Sequence, residues 1–127
     1  MKGTARARNG FAAMPRKSLL LLFALASCSK GPQADLQYIS QARSVTAEWA
    51  LINEQSSEGK LTDTYTRVMR ADLREQLQTT AKSLTQPNSR YGQEIQAVLG
   101  EPDDASPQAL RSHADQLKQI EDSLESA

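Results

Sequence analysis

Few residue types in this chain support chemistry of their own. It has one cysteine and one histidine in 127 residues. A single cysteine excludes an internal disulfide framework and any multi-Cys zinc site. A single histidine leaves no imidazole cluster for a metal and makes most His-dependent triads untenable. No acidic residue precedes Asp35, and the longest apolar run, Ser18–Ala26 (SLLLLFALA), has nine residues. A helix needs ~20 apolar residues to cross a bilayer, so this run does not span one. Glycine-rich phosphate loops, G-x-S-x-G and H-E-x-x-H are all missing, and no cofactor motif takes their place.

The formal net charge of zero hides an asymmetry. Lys2, Arg6, Arg8, Arg16 and Lys17 precede the apolar run, whereas residues 28–127 carry ten bases against fifteen acids. A basic, acid-free leader followed by a short apolar run is the pattern of a secretory signal. Met14 offers an alternative start, MPRKSLLLLFALASC, which leaves the mature chain unchanged. Arg6 and Arg8 are separated by Ala7 and do not form a twin-arginine signal.

Leu25-Ala26-Ser27-Cys28 directly follows the apolar run. This tetrapeptide resembles the lipobox of bacterial lipoproteins, in which Leu and two small residues precede a Cys. The resemblance implies diacylglycerol on the Cys28 thiol, cleavage between Ser27 and Cys28, and acylation of the freed amine. Small residues let the extended segment enter a protease groove, and only a thiol forms the thioether. Each buried CH₂ contributes ~0.8 kcal/mol, so two or three acyl chains hold a protein on a membrane. Ser29, rather than Asp, follows the cysteine; by the same resemblance this implies the outer membrane. A second reading of the same residues exists: Ala24-Leu25-Ala26 fits the small-x-small rule of ordinary signal peptidase, which would release a chain beginning at Ser27.

The expected organisation is a removed signal over 1–27, a lipidated Cys and tether over 28–34, and one helical domain over 35–127. Tyr38, Ala42, Val45, Trp49 and Ile52 step by four and three, which predicts a helix ending near Ser56 to Glu58 with Gly59 as its cap. Thr62 is placed to N-cap a second helix bearing Tyr65, Met69, Leu73, Leu77, Ala81 and Leu84, with Val68 beside them. Pro87 stops it. A short third helix is expected from about Ser89 to Leu99, weakened by Gly92. Ser106-Pro107 opens a fourth, with Leu110, His113/Ala114, Leu117, Ile120 and Leu124 on one face. Nothing alternates as a strand does. The fold class is therefore all-α, a long antiparallel hairpin plus two further helices in a small bundle. Leu, Ile and Val supply only 17 of residues 28–127 and no Phe falls among them. So thin a core implies a bundle marginally stable alone, or one whose narrow stripes are completed by a second copy or a partner.

Candidate functional residues are few. Arg67, Arg70 and Arg74 recur at helical spacing and form a candidate contact for an anion or partner; the competing reading is a solvated face balanced by Asp63, Asp72 and Glu75. Trp49 is a core residue or an interface anchor. His113 reads as a half-buried helix residue, and Asp103-Asp104 as acids complementing a helix dipole. No catalytic or metal-ligating set emerges. Export and a net-acidic domain disfavour nucleic acid. The expected role is that of a lipid-anchored interaction or structural protein of the envelope, an adaptor or small oligomer without catalysis. The alternative is a module binding an anionic glycan or lipid headgroup through the arginines.

Overall fold

The structure is a computed structural model and describes residues 31–127. The signal segment, the lipobox residues Leu25, Ala26, Ser27 and Cys28, and Ser29 lie outside the described residues. A 3₁₀ turn, Pro32–Asp35, leads into four helices: α1 (Leu36–Ser57), α2 (Asp63–Ser83), α3 (Arg90–Leu99) and α4 (Pro107–Glu125). The all-α class holds.

The helix ends follow from local chemistry. The side chains of Thr62, Ser89 and Ser106 accept hydrogen bonds from the backbone N–H groups of Tyr65, Gly92 and Ala109, capping α2, α3 and α4. Each satisfies a donor that the first helical turn leaves free. Gly59 takes φ 73° after α1, a conformation that lets the chain reverse within five residues. Ser106 is followed by Pro107 at the first helical position, where no N–H is needed.

Long-range hydrogen bonds fix the arrangement. Asp35, before α1, meets Thr85, after α2, while Asn53 near the end of α1 meets Arg70 in the first half of α2. The two helices are thus antiparallel. Helix α1 is central, packing chiefly against α4 and next against α2, while α3 sits against α4 and α2. Ile39, Ala42 and Trp49 from α1, Leu73 and Leu77 from α2, Ile95 and Val98 from α3, and Leu110 and Leu117 from α4 are fully buried.

Four helices cover one another, each contributing two or more apolar residues that solvent does not reach. Two expectations require correction. Tyr65 and Val68 do not join the core of α2 and are 48% and 57% exposed. The core-facing line of that helix runs through Thr66, Leu73, Leu77 and Thr80 instead. Residues 31–34 are not a free tether. The Gly31 carbonyl accepts from the Thr85 hydroxyl, and the Gln33 side-chain amide donates to the Leu124 carbonyl. Gly31 and Gln33 are thus tied to the bundle.

Gly92 weakens nothing that another residue would strengthen. A Cβ there would lie 2.2 Å from the Pro87 carbonyl oxygen, so the turn before α3 closes only over a glycine. Among the described residues, no helix is long and apolar enough to cross a membrane.

Candidate functional site

Polar side chains gather at three places, and each ties elements that are far apart in sequence. The first is the α3–α4 loop. The Arg74 guanidinium donates to the carbonyls of Leu99 (2.7 Å) and Glu101 (2.8 Å) and to the Asp103 carboxylate (2.9 Å). Its carbon lies 4.8 Å from the centroid of the Trp49 ring, a cation–π distance. The Trp49 indole N–H donates to the Asp103 carbonyl at 3.0 Å. The Asn53 amide donates to the carbonyls of Asp103 and Ala105 and accepts from Arg70 Nε at 2.8 Å. A planar guanidinium suits this work because it offers several donors in fixed directions.

This cluster answers the reading of the arginines. Arg70 and Arg74 turn inward to Asn53 and to the loop, while Arg67 is exposed. The three therefore form no shared anion-facing stripe, and Asp63, Asp72 and Glu75 are not what balances Arg74. Sequence spacing places the three near one side of α2 but does not reveal that the α3–α4 loop comes back across that side. Trp49 is fully buried, which excludes it as a surface anchor in this conformation. Asp103 acts through both its carboxylate and its carbonyl, whereas the adjacent Asp104 is exposed.

The second cluster lies under the chain's entry into α1. Asp35 is inaccessible to solvent. Its carboxylate accepts from the Tyr91 hydroxyl (2.6 Å), the Thr85 N–H (2.9 Å) and the Gln86 N–H (3.2 Å). Burial alone would raise the pKa of this carboxyl. The Tyr91 hydroxyl and the two backbone donors outweigh burial and hold it below the ordinary value. The same pair, with burial as the larger cause, pushes the Tyr91 hydroxyl up to about 12.

The third cluster is on α4. Nδ1 of His113 lies 2.5 Å from a Glu94 carboxylate oxygen of α3, and Nε2 lies 2.8 Å from a Glu101 oxygen in the loop. The acids nearest in sequence, Asp115 and Asp104, are not its partners. Partial burial draws the imidazole's pKa down, but hydrogen bonds and charge from the two glutamates prevail, and the net shift is upward. Glu94 lies 19 residues from His113, and nothing local in the sequence announces the pairing.

An open groove of about 500 Å³ runs between α2 and α3, with Gln78, Ala81, Lys82, Gln96 and Leu99 along it. Among the described residues, no group of three or more His, Cys, Asp or Glu is placed to hold a metal. Every buried side-chain nitrogen or oxygen described has a hydrogen-bond partner. The clusters thus consist of satisfied groups that join helices, and none presents an unpaired buried donor or acceptor to a ligand. Compared with protein families, curated proteins and solved structures, the chain matches none.

Proposed function

We propose that this protein is a lipid-anchored interaction or structural protein of the bacterial envelope, held through diacylglycerol on Cys28 at the periplasmic face of the outer membrane. It works there as an adaptor or small oligomer, without catalysis of its own. The observation that carries this reading is the tetrapeptide Leu25-Ala26-Ser27-Cys28, placed directly after a basic leader and a nine-residue apolar run. A lone thiol left free in an exported protein is an unfavourable outcome, and a thioether removes it. The character of the domain agrees: its imidazole, its buried carboxylates and its inward-facing arginines join one helix to another.

The anchor sets how the domain is presented. Only Cys28 to Lys30 precede Gly31, a reach of ~10 Å even when fully extended. The end of the bundle carrying Gly31, Thr85 and Leu124 then faces the lipid. The opposite end, with the α1–α2 turn and the α3–α4 loop, faces the periplasm.

The test is metabolic labelling with a radioactive fatty acid, followed by crosslinking in intact cells, for wild type beside Cys28→Ala. We expect label on the wild type only, and a crosslinked envelope protein or second copy that is lost with the anchor. An unlabelled wild type found in the soluble fraction would refute the anchor. A labelled protein that stays monomeric and partnerless under crosslinking would refute the interaction role.

A further inference from the structure

His113 links α4 to α3 and to the loop that follows it. Helix α3 has only ten residues, too short to hold its shape without packing. The loop after it is held by Arg74, Trp49 and Asn53 on the side of α1 and α2. On the side of α4, the polar ties are the contacts of Glu94 and Glu101 with His113.

An ionised carboxylate only accepts hydrogen bonds, and a neutral imidazole has a single N–H. Both contacts can be hydrogen bonds at once only when the ring carries two N–H groups, that is, as imidazolium. Removal of the proton leaves one carboxylate facing a ring lone pair.

We propose that His113 is a proton-operated latch between α4 and the segment Glu94–Glu101, closed when the ring is charged and loosened when it is neutral. The charged groups of the adjoining elements are as follows. From α3 comes Glu94, one turn after the exposed Arg90, and from the loop come Glu101 and the exposed Asp104. From α2, Arg74 is directed to the carbonyl of Glu101 and to Asp103, which leaves the Glu101 carboxylate for the imidazole. From α1, Glu54 is taken by Arg111 of α4 at 2.9 Å. The remaining nearby acid on α4, Asp115, is exposed. A metal does not explain the arrangement, because the two carboxylates sit at opposite ring nitrogens and no single ion reaches both with the ring.

The sign follows from linkage. The folded-state pKa of His113 is raised above the unfolded value of about 6.5. The latch is therefore fully closed below that value and is lost as pH rises through the raised folded value. The loosening is a more frequent local opening of α3 and its loop, in which Ile95 and Val98 leave the core while α1 stays packed. It operates whether or not the chain is lipidated.

The experiment uses the full chain in detergent micelles. Because the chain has one histidine, the ring proton resonance of His113 is unambiguous, and its titration is followed by NMR. Amide hydrogen exchange of α3 is measured alongside as protection factors at pH 6 and pH 9, with α1 as internal reference. We expect a midpoint above 6.5, lowered in Glu94→Gln and Glu101→Gln. We also expect α3 protection to fall with pH by about tenfold per unit of raised pKa, while α1 stays constant. His113→Gln should remove that pH dependence. A wild-type midpoint at or below 6.5 overturns the latch, as does α3 protection that falls no more than that of α1. A pH dependence unchanged in His113→Gln overturns it too.

Discussion

Glycine 92 lies within α3, where propensity argues for replacing it. Ala in a helix interior is favoured over Gly by about 1 kcal/mol. The structure predicts the opposite sign at this site. A new Cβ would meet the Pro87 carbonyl oxygen at 2.2 Å and its carbon at 2.7 Å, and both belong to backbone that cannot rotate away. Overpacking of this kind costs about 1–3 kcal/mol, so Gly92→Ala should lower the midpoint of urea unfolding. A raised midpoint would show that the Pro87 turn yields. Asp35 gives a second residue-scale prediction. Replacing it with Ala leaves the Tyr91 hydroxyl and the Thr85 and Gln86 N–H groups without their acceptor, each orphaned donor costing about 1–3 kcal/mol. Tyr91→Phe removes one donor and should cost about 1 kcal/mol. Because the Asp35 carboxyl is held below its ordinary value, its contribution is present above the unfolded pKa and lost as pH falls through the lowered folded one. Asp35→Asn should therefore flatten the acid limb of the stability–pH profile, and an acid limb like that of wild type would contradict this.

At the scale of elements, the α3–α4 loop is organised by a side chain from another helix. Arg74 closes on two loop carbonyls and one carboxylate while lying over Trp49. Lysine keeps the charge but offers a point donor in place of a fork. Arg74→Lys should cost about 1–3 kcal/mol, the range of charged hydrogen bonds, and raise amide exchange in residues 99–105. Exchange there matching wild type would show that Trp49 and Asn53 suffice. This loop also marks the boundary of what the sequence makes legible. Helix ends are written locally, in Thr62, Gly59, Ser89 and Ser106-Pro107, and those residues cap or terminate the helices as their chemistry requires. The stripe Ala42, Val45, Trp49 and Ile52 is legible for the same reason, since period and burial coincide, whereas Tyr38 at its head is only half-buried. The Arg74, Asp35 and His113 contacts are not legible. Each joins residues 12 to 56 positions apart through a side chain that could equally face water, and only tertiary packing decides. Tyr65 and Val68 fail for a related reason, because a stripe wider than the helix contact leaves its edge exposed.

For the whole molecule, the decisive property is that the core closes on itself although aliphatic residues are few. Trp49 is fully buried in it, with Arg74 of α2 over its ring and its indole N–H satisfied by the loop. One core shared by four helices should lose its structure in one step. Trp49 fluorescence and far-UV circular dichroism should then give superimposable urea transitions, with the native emission shielded from ionic quenchers. Leu73→Ala should shift both transitions together, by about 2–5 kcal/mol, since it removes an inaccessible side chain. Serine at Leu51, Tyr65 and Val68, all exposed, should change stability by only about 0.5 kcal/mol at each position. If fluorescence changed before the helical signal, the α3–α4 loop would separate from Trp49 while the α1–α2 hairpin persisted. The molecule would then comprise a stable pair of long helices and a detachable remainder, with its polar clusters as joints between them. Coincident transitions make those same clusters part of a single cooperative unit, so that any partner bound to one helix stabilises all four.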